Sequence, residues 1–169
     1  MSEVKLDVAI VGGGASGIFA AIRAAAVAKA CGNSVHVRVL ESSSQLLNKV
    51  KISGGGRCNV THHQYDVRAM VGNYPRGQRE LLSPFQTFQA KDTVEWFESR
   101  GVKLKIEADG RMFPVTDSSQ SIIDCFLQEA SQLNVEITKG AAVQKITITE
   151  QGTFQLHLKD KSLLKADRV

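Results

Sequence analysis

Residues 6–17 read LDVAIVGGGASG and predict a strand that runs into a glycine turn and then a helix. The apolar run at 6–11 is rich in β-branched side chains, which is typical of a buried parallel strand. An Ala-rich helix is predicted over 15–30, and a second strand is predicted over 35–40 (VHVRVL). Together these elements form one βαβ unit with a right-handed crossover.

The glycines of this turn have the spacing G-x-G-x-x-G at Gly12, Gly14 and Gly17. The first makes a tight turn, the second lets the backbone approach a pyrophosphate, and the third allows close helix–strand packing. Glu41 follows the third glycine by 24 residues, at the end of the second strand. A carboxylate there accepts hydrogen bonds from ribose hydroxyls and repels a 2′-phosphate, which favours FAD or NAD over NADP. A glycine-rich turn of an unrelated α/β domain is the alternative.

A second glycine-rich stretch, SGGGRCN, occupies residues 53–59. No Lys-Ser/Thr pair follows its glycines, so it is not a Walker loop. Three consecutive glycines permit close approach to a planar or phosphate-bearing ligand. Arg57 adds a planar positive fork, and Asn59 adds a group that both donates and accepts hydrogen bonds. The stretch therefore favours a cofactor loop, with a flexible surface loop as the alternative.

These motifs occur in a wider resemblance that covers essentially the whole chain. GGGASG at 12–17, Glu41 and SGGGRCNVT at 53–61 resemble the BaiN-type NAD(P)/FAD-dependent oxidoreductases, also known as the aminoacetone oxidase family of FAD-binding enzymes. Further matches are GRMFPVTDSSQSIIDCFLQEA at 110–130 and VEITKGAAVQKI at 135–146. The resemblance implies an α/β, Rossmann-like FAD-binding fold of glutathione-reductase type, with a parallel sheet and a crossover β-meander.

The resemblance also implies a set of cofactor-binding residues and leaves the catalytic residues unidentified. These residues would contact the pyrophosphate, the adenosine ribose, the adenine and the flavin side of the diphosphate. In chain order they are Gly12, Gly14, Ala15, Ser16, Gly17, Glu41, Ser42, Lys49, Gly54, Gly55, Gly56, Arg57, Cys58, Asn59 and, through its backbone, Val143. One departure is visible, because Leu47-Asn48 stand where the family usually has Gly-Arg.

The reaction implied is hydride transfer to or from a conjugated C–C or C–N bond of a small-molecule substrate, with FAD as cofactor and NAD(P)H as the candidate electron donor. Residues 1–169 are then the N-terminal part of an FAD/NAD(P)-binding domain, incomplete at the C-terminus, without the substrate-side insertion and the C-terminal return. We therefore expect weak or absent FAD and no turnover for this chain alone. An NAD-dependent dehydrogenase domain is an alternative function.

Periodicity and turn residues predict the remaining elements. Residues 42–79 show no long periodic element, which is uncommon for a segment of that length unless it binds a ligand.

Trp96 and Phe97 are neighbours on one helix, so one is expected in the core and the other partly exposed. The predicted elements are helices at 79–88, 91–100 and 118–133, a hairpin of 102–106 with 111–115, a strand at 135–138, and a meander of 142–149, 153–158 and 162–166.

The positive charge is concentrated in one segment. The chain has a net charge of +4, and residues 49–79 alone carry six bases against Asp66, a net charge of +5. Such a segment suits an anionic partner, so a non-enzymatic anion- or RNA-binding module is a further alternative. RNA is also a candidate substrate of the flavin enzyme, with Arg68, Arg76 and Arg79 as its contacts. A solvated surface is the plainer interpretation.

Composition favours a globular protein of the cytoplasm that does not bind a membrane. Hydrophobic residues make up 43% of the 169 residues, no apolar run is long enough for a membrane helix, and the N-terminus does not resemble a signal peptide. Cys31, Cys58 and Cys125 are too few and too far apart for a disulfide framework, and all three are expected to pack. No metal site is expected from His62 and His63, and self-association into a homo-oligomer is compatible with an uncovered sheet edge.

Overall fold

The computed structural model describes residues 6–169, which divide into two compact units. Among the described residues, the first unit comprises 6–49 together with Phe126–Val169, and the second comprises Val50–Cys125. The elements are β1 (Leu6–Val11), α1 (Ala15–Ala30), β2 (Val35–Glu41), α2 (Asn48–Gly56), β3 (Thr61–His62), α3 (Val67–Gly72), α4 (Gln78–Thr87), α5 (Ala90–Glu98), β4 (Leu104–Ile106), β5 (Arg111–Pro114), α6 (Ser119–Gln132), β6 (Glu136–Lys139), β7 (Val143–Ile148), β8 (Phe154–Leu158) and β9 (Leu163–Ala166).

The first unit is built on a parallel sheet of order β1-β2-β6. Helix α1 joins β1 to β2 and buries one stripe of residues at the predicted helical spacing. The side chains of this stripe are small or β-branched, so α1 can approach β2 closely. They belong to Ile18, Ala21, Ile22 and Ala25. The predicted βαβ unit is confirmed.

A three-stranded antiparallel meander, β7-β8-β9, completes this unit and confirms the predicted order of strands. Leu156 and Leu158 of β8 are buried in one apolar cluster with Ala9 of β1 and Leu40 of β2. Beyond the meander, Arg168 forms a parallel bridge with Val8, and the Ala9 amide donates to the Arg168 carbonyl at 2.9 Å. The chain therefore returns to β1 on the edge that β2 does not occupy.

The second unit contains an antiparallel sheet of order β3-β5-β4. Phe113 of β5 is fully buried, and the neighbouring Met112 is 3% exposed. Asp109-Gly110 form the turn between β4 and β5, as the sequence predicts for a hairpin.

Two expectations for the second unit are wrong. Residues 42–79 are not without regular structure, because α2, β3, α3 and the start of α4 lie there. These elements are short and rich in glycine and polar residues, so they lack the periodicity that identifies longer helices. Trp96 and Phe97 are both buried, with ring centroids 4.8 Å apart in an edge-to-face arrangement, because α5 contacts both β3 and β4.

Candidate functional site

The turn between β1 and α1 is held by backbone contacts that only glycines allow. Gly12 has φ +106°, and its amide donates to the Leu40 carbonyl at 2.8 Å. A Cβ on Gly17 would lie 1.9 Å from the Gly12 carbonyl oxygen. The third glycine of the motif therefore sets how closely α1 approaches the strand, as predicted.

Gly13 contributes to the turn at a position that the sequence motif does not include. Its amide donates to Glu41 Oε2 at 2.7 Å, and a Cβ there would lie 2.5 Å from the Leu46 side chain. The pattern G-x-G-x-x-G leaves this position free. The run of three glycines at 12–14 is the signal that could have identified it.

The N-terminus of α1 is open to an anion. Gly14 is the N-cap residue, and a Cβ there would meet no protein atom within 4 Å. Gly14, Ala15 and Ser16 are exposed, and the first turn contains no acidic residue. The first amides of a helix have no intrahelical acceptor and add their partial positive charge to that of the helix dipole. This arrangement can accept a phosphate.

The Glu41 carboxylate lies beside this turn and is held by backbone amides. The Ser43 amide donates to Oε1 at 2.7 Å, the Gly13 amide donates to Oε2 at 2.7 Å, and the Ser42 hydroxyl donates to Oε1 at 3.2 Å. The bonds from Ser43 and Gly13 lower the pKa of Glu41 below its ordinary value of 4.5. Glu41 is therefore ionised at neutral pH, with oxygen lone pairs available to ribose hydroxyl donors.

The loop that leads into β7 is attached to the same end of β2. The Ala141 amide donates to the Glu41 carbonyl at 2.8 Å, and the Gly140 amide donates to the Ser43 carbonyl at 3.0 Å. Val143 begins β7 next to this loop, and the register of the β7–β8 pair shifts between Val143 and Lys145. The first unit thus brings the glycine turn, Glu41, Ser42 and the approach to Val143 together.

Leu47 and Lys49 follow Glu41 in the chain. The Leu47 amide donates to the Gly13 carbonyl at 2.9 Å, and Leu47 is buried with φ +55°. This left-handed conformation favours glycine, which the resemblance places at this position. Lys49 is exposed in the first turn of α2.

The stretch 53–59 of the second unit has a different structure, in which the polar side chain of Arg57 is satisfied by protein groups. Its Nη1 donates to Glu107 Oε1 at 2.5 Å and lies 3.6 Å from Asp117 Oδ1. The guanidinium also lies over the Phe113 ring, 4.0 Å from the centroid. One nitrogen of the guanidinium, Nη1, therefore pairs with carboxylates of the same unit.

One glycine of this stretch also serves packing. A Cβ on Gly54 would lie 2.7 Å from the Phe113 ring, whereas one on Gly55 would meet nothing within 4 Å. Cys58 is buried, as expected for a packing residue, and burial raises the pKa of its thiol. Asn59 is exposed, and Gly56 continues the left-handed run at φ +85°.

Comparison with known proteins decides the family. Residues 6–169 match the family described as HI0933-like protein Rossmann domain. The chain belongs to this family.

Curated relatives of this HI0933-like chain include enzymes with different substrates. It is 32% identical over 162 residues to the 3-dehydro-bile acid delta(4,6)-reductase of Clostridium scindens, a match that covers 96% of this chain and 37% of the relative. It is 26% identical over 154 residues to the ribosomal RNA dihydrouridine synthase of Escherichia coli, covering 91% of this chain and 36% of that protein. The chain therefore spans little more than a third of the length of these relatives.

Solved structures confirm the predicted fold class of the HI0933-like chain. The 3-ketosteroid-delta4-(5alpha)-dehydrogenase of Rhodococcus jostii RHA1 superposes with a TM-score of 0.64 at 14% identity, covering 99% of this chain and 45% of that one. A flavocytochrome c3 fumarate reductase gives a TM-score of 0.63 at 20% identity, covering 99% of this chain and 32% of that one. Both share the Rossmann-type architecture.

Four further observations concern features outside the glycine turns. Within residues 6–169, no group of three or more His, Cys, Asp or Glu side chains is arranged to hold a metal ion, and no helix is long and apolar enough to cross a membrane. His62 Nε2 hydrogen-bonds the Asp109 carbonyl at 3.0 Å. Cys31 is exposed rather than packed, because it is the C-cap residue that follows the last turn of α1.

Proposed function

We propose that this chain is the FAD-binding portion of a flavin-dependent oxidoreductase that transfers hydride to or from a conjugated C–C or C–N bond. One observation carries the proposal: Gly14 at the open N-terminus of α1 directly follows Gly13, whose amide holds the Glu41 carboxylate at the end of β2. A phosphate acceptor next to a ribose acceptor is what an adenosine diphosphate group requires.

The residues present fit the adenosine half of FAD. The first-turn amides of α1 at Ala15 and Ser16 would bind the diphosphate. Glu41 would accept from the ribose hydroxyls, and its negative charge would disfavour a 2′-phosphate there. The backbone near Val143 would meet the adenine edge, because the 140–142 loop is attached to the end of β2.

The reaction type is supported by the names of the relatives. A delta(4,6)-reductase and a dihydrouridine synthase act on chemically different substrates, yet both names describe addition of hydrogen to a ring double bond. Bound flavin supplies hydride transfer, and the protein supplies binding and orientation. NAD(P)H is the proposed electron donor, and the proposed compartment is the cytoplasm, where an exposed free thiol such as Cys31 stays reduced.

An NAD-dependent dehydrogenase would use the same glycine turn and the same carboxylate. The antiparallel meander β7-β8-β9 argues against it, because the next elements of such an enzyme are expected to be further βα units.

Isothermal titration calorimetry with ADP, FAD and NAD tests the proposal. We expect ADP and FAD to bind with similar affinities, and NAD to bind more weakly. We also expect FAD to be lost on gel filtration, since the contacts proposed here are with its adenosine half. Failure of both ADP and FAD to bind would contradict the proposal, and tighter binding of NAD than of FAD would favour the dehydrogenase.

A further inference from the structure

A groove of about 640 Å³ lies between α3 and α4 in the second unit. It is within the roughly 300–1,000 Å³ range of small-ligand pockets, but much of its wall is exposed. Arg68, Gln78, Arg79 and Gln86 line it and are all exposed. A groove of this kind suits a segment of a polymer that runs along the surface better than an enclosed small molecule.

The groove carries positive charge without an internal counterion. Arg68 of α3 and Arg79 of α4 line it, and neither forms an ion pair with any residue in the described range 6–169. The one acid in the lining, Asp66, accepts a hydrogen bond from the Ala69 amide at 2.7 Å as the N-cap of α3. The contrast is with Arg57 of the same basic segment, whose charge is neutralised by carboxylates.

The groove also offers an aromatic ring and apolar surface. Tyr65 lines it and is half-buried, with its ring 4.6 Å from the His63 ring in an edge-to-face contact. Burial raises the pKa of Tyr65, so its hydroxyl stays neutral at physiological pH. Val71 and Leu82 supply apolar surface from the two helices.

The carboxylates of α5 nearest Tyr65 have partners of their own. Glu95 lies 3.8 Å from Lys91 Nζ, and Glu98 accepts from the Leu104 amide at 3.4 Å. Neither glutamate lines the groove. The surface available to a ligand therefore combines guanidinium groups, an uncharged aromatic ring and side-chain amides.

We propose that the α3–α4 groove binds single-stranded RNA, with Arg68 and Arg79 on backbone phosphates and a base against Tyr65. Sites for single strands combine a positive groove that follows the backbone with aromatic side chains that stack on bases. An acidic polypeptide would use the arginines but would have no need of the aromatic ring. This surface lies in the second unit, whereas the proposed dinucleotide site lies in the first.

Fluorescence anisotropy of the 169-residue chain with a short fluorescein-labelled oligouridylate, measured over a range of KCl concentrations, tests the proposal. We expect Arg68→Gln/Arg79→Gln to weaken binding about tenfold or more and to reduce the slope of log K against log salt by about 1.4, the value for two lost phosphate contacts on a single strand. The matched control is Arg23→Gln/Lys145→Gln, which removes the same charge from exposed positions of the first unit and should change affinity less than about twofold.

Variants of Tyr65 distinguish the contribution of base stacking to RNA affinity from that of positive charge. Tyr65→Leu should weaken binding by about fivefold or more, whereas Tyr65→Phe keeps the ring and should bind like the unsubstituted chain. Thermal unfolding followed by circular dichroism checks that each variant is folded.

Two outcomes would overturn the proposal: an equal loss of affinity in the two double variants, or displacement of the RNA by polyglutamate as readily as by unlabelled RNA. The first would assign binding to net charge alone, and the second would assign the groove to an acidic polypeptide. ADP titration of the same proteins reports separately on the dinucleotide site, so a failure of either proposal leaves the other measurable.

Discussion

The two glycine-rich turns of this chain look alike in sequence and differ in what surrounds them. At 12–17 the glycines leave a helix N-terminus open, and a Cβ on Gly14 would meet no protein atom within 4 Å. At 53–59 a Cβ on Gly54 would lie 2.7 Å from the Phe113 ring, and Arg57 is paired with Glu107. One turn keeps its polar groups available to a ligand, and the other uses them to hold its own unit together.

This difference shows that glycine content alone does not say which contacts a turn makes. What distinguishes the first turn is a helix N-terminus whose own first turn contains no acidic residue, with the Glu41 carboxylate held beside it by the Gly13 amide. Glycine at the second turn is required by left-handed backbone and close packing, both of which any buried loop can demand. Substitutions at matched glycines should separate the two cases.

The largest effect is expected from Gly17→Ala. Its Cβ would lie 1.9 Å from the Gly12 carbonyl oxygen, so the helix must move away from the strand, at a cost of about 3 kcal/mol or more. Urea unfolding measures this cost. Gly14→Ala, in the same turn but facing open space, is the control and should change stability by less than about 1 kcal/mol. Equal destabilisation by both substitutions would contradict the packing role of Gly17.

Gly54→Ala and Gly55→Ala form the next pair. Both positions have positive φ, +57° and +69°, so both variants lose about 1–2 kcal/mol to the left-handed conformation. Only Gly54→Ala also meets the Phe113 ring, which should add about 1–3 kcal/mol. Urea unfolding of the two variants gives the difference directly. A smaller loss for Gly54→Ala than for Gly55→Ala would mean that the second turn is not a packing feature.

Gly14→Ala should affect binding rather than stability. A methyl group there occupies the space in which a diphosphate approaches the backbone, so we expect ADP affinity to fall at least about tenfold. Gly55→Ala, the open glycine of the second turn, should leave ADP affinity within about twofold. Calorimetric titration with ADP measures the affinity of each variant. ADP binding weakened by Gly55→Ala and unchanged by Gly14→Ala would reverse the comparison between the turns.

Glu41→Gln should give the smallest effect on stability, about 1 kcal/mol at neutral pH, because the amide bonds to the carboxylate lose their charge. The folded-state pKa of Glu41 lies below its ordinary value of 4.5, so this stabilisation is present above that value and is lost as the pH falls through the folded-state pKa. The urea midpoints of the variant and the parent should therefore converge in acid. Glu150→Gln, at an exposed turn position, is the control. A gap between Glu41→Gln and the parent that persists at low pH would show that the carboxylate charge is not involved.

Local signals account for the parts of the site that sequence analysis predicted correctly. Strand β1, the turn at Gly12 and helix α1 follow one another in the chain, and Glu41 follows at a spacing set by one helix and one strand. The meander was predicted for the same reason, since each of its strands pairs with the next.

Long-range contacts account for what sequence analysis missed. The partners of Arg57 are Glu107 and Asp117, which are 50 and 60 residues away, so nothing near SGGGRCN indicates that its charge is already paired. Trp96 and Phe97 are both buried, and α5 contacts both β3, which lies well before it in the chain, and β4, which follows it. Neither fact is encoded in the neighbouring residues.

The sequence by itself determined the βαβ order, the glycine turn and the carboxylate that follows it, because these depend on backbone conformation and spacing within a short stretch. Only the tertiary structure decided which polar groups remain available. Glu41 is held by the Gly13 and Ser43 amides, Arg57 is satisfied by carboxylates, and Arg68 and Arg79 carry no counterion in the described residues. Whether a charge is free to bind a ligand depends on which distant side chains the fold places beside it, and that is a property of packing rather than of local sequence.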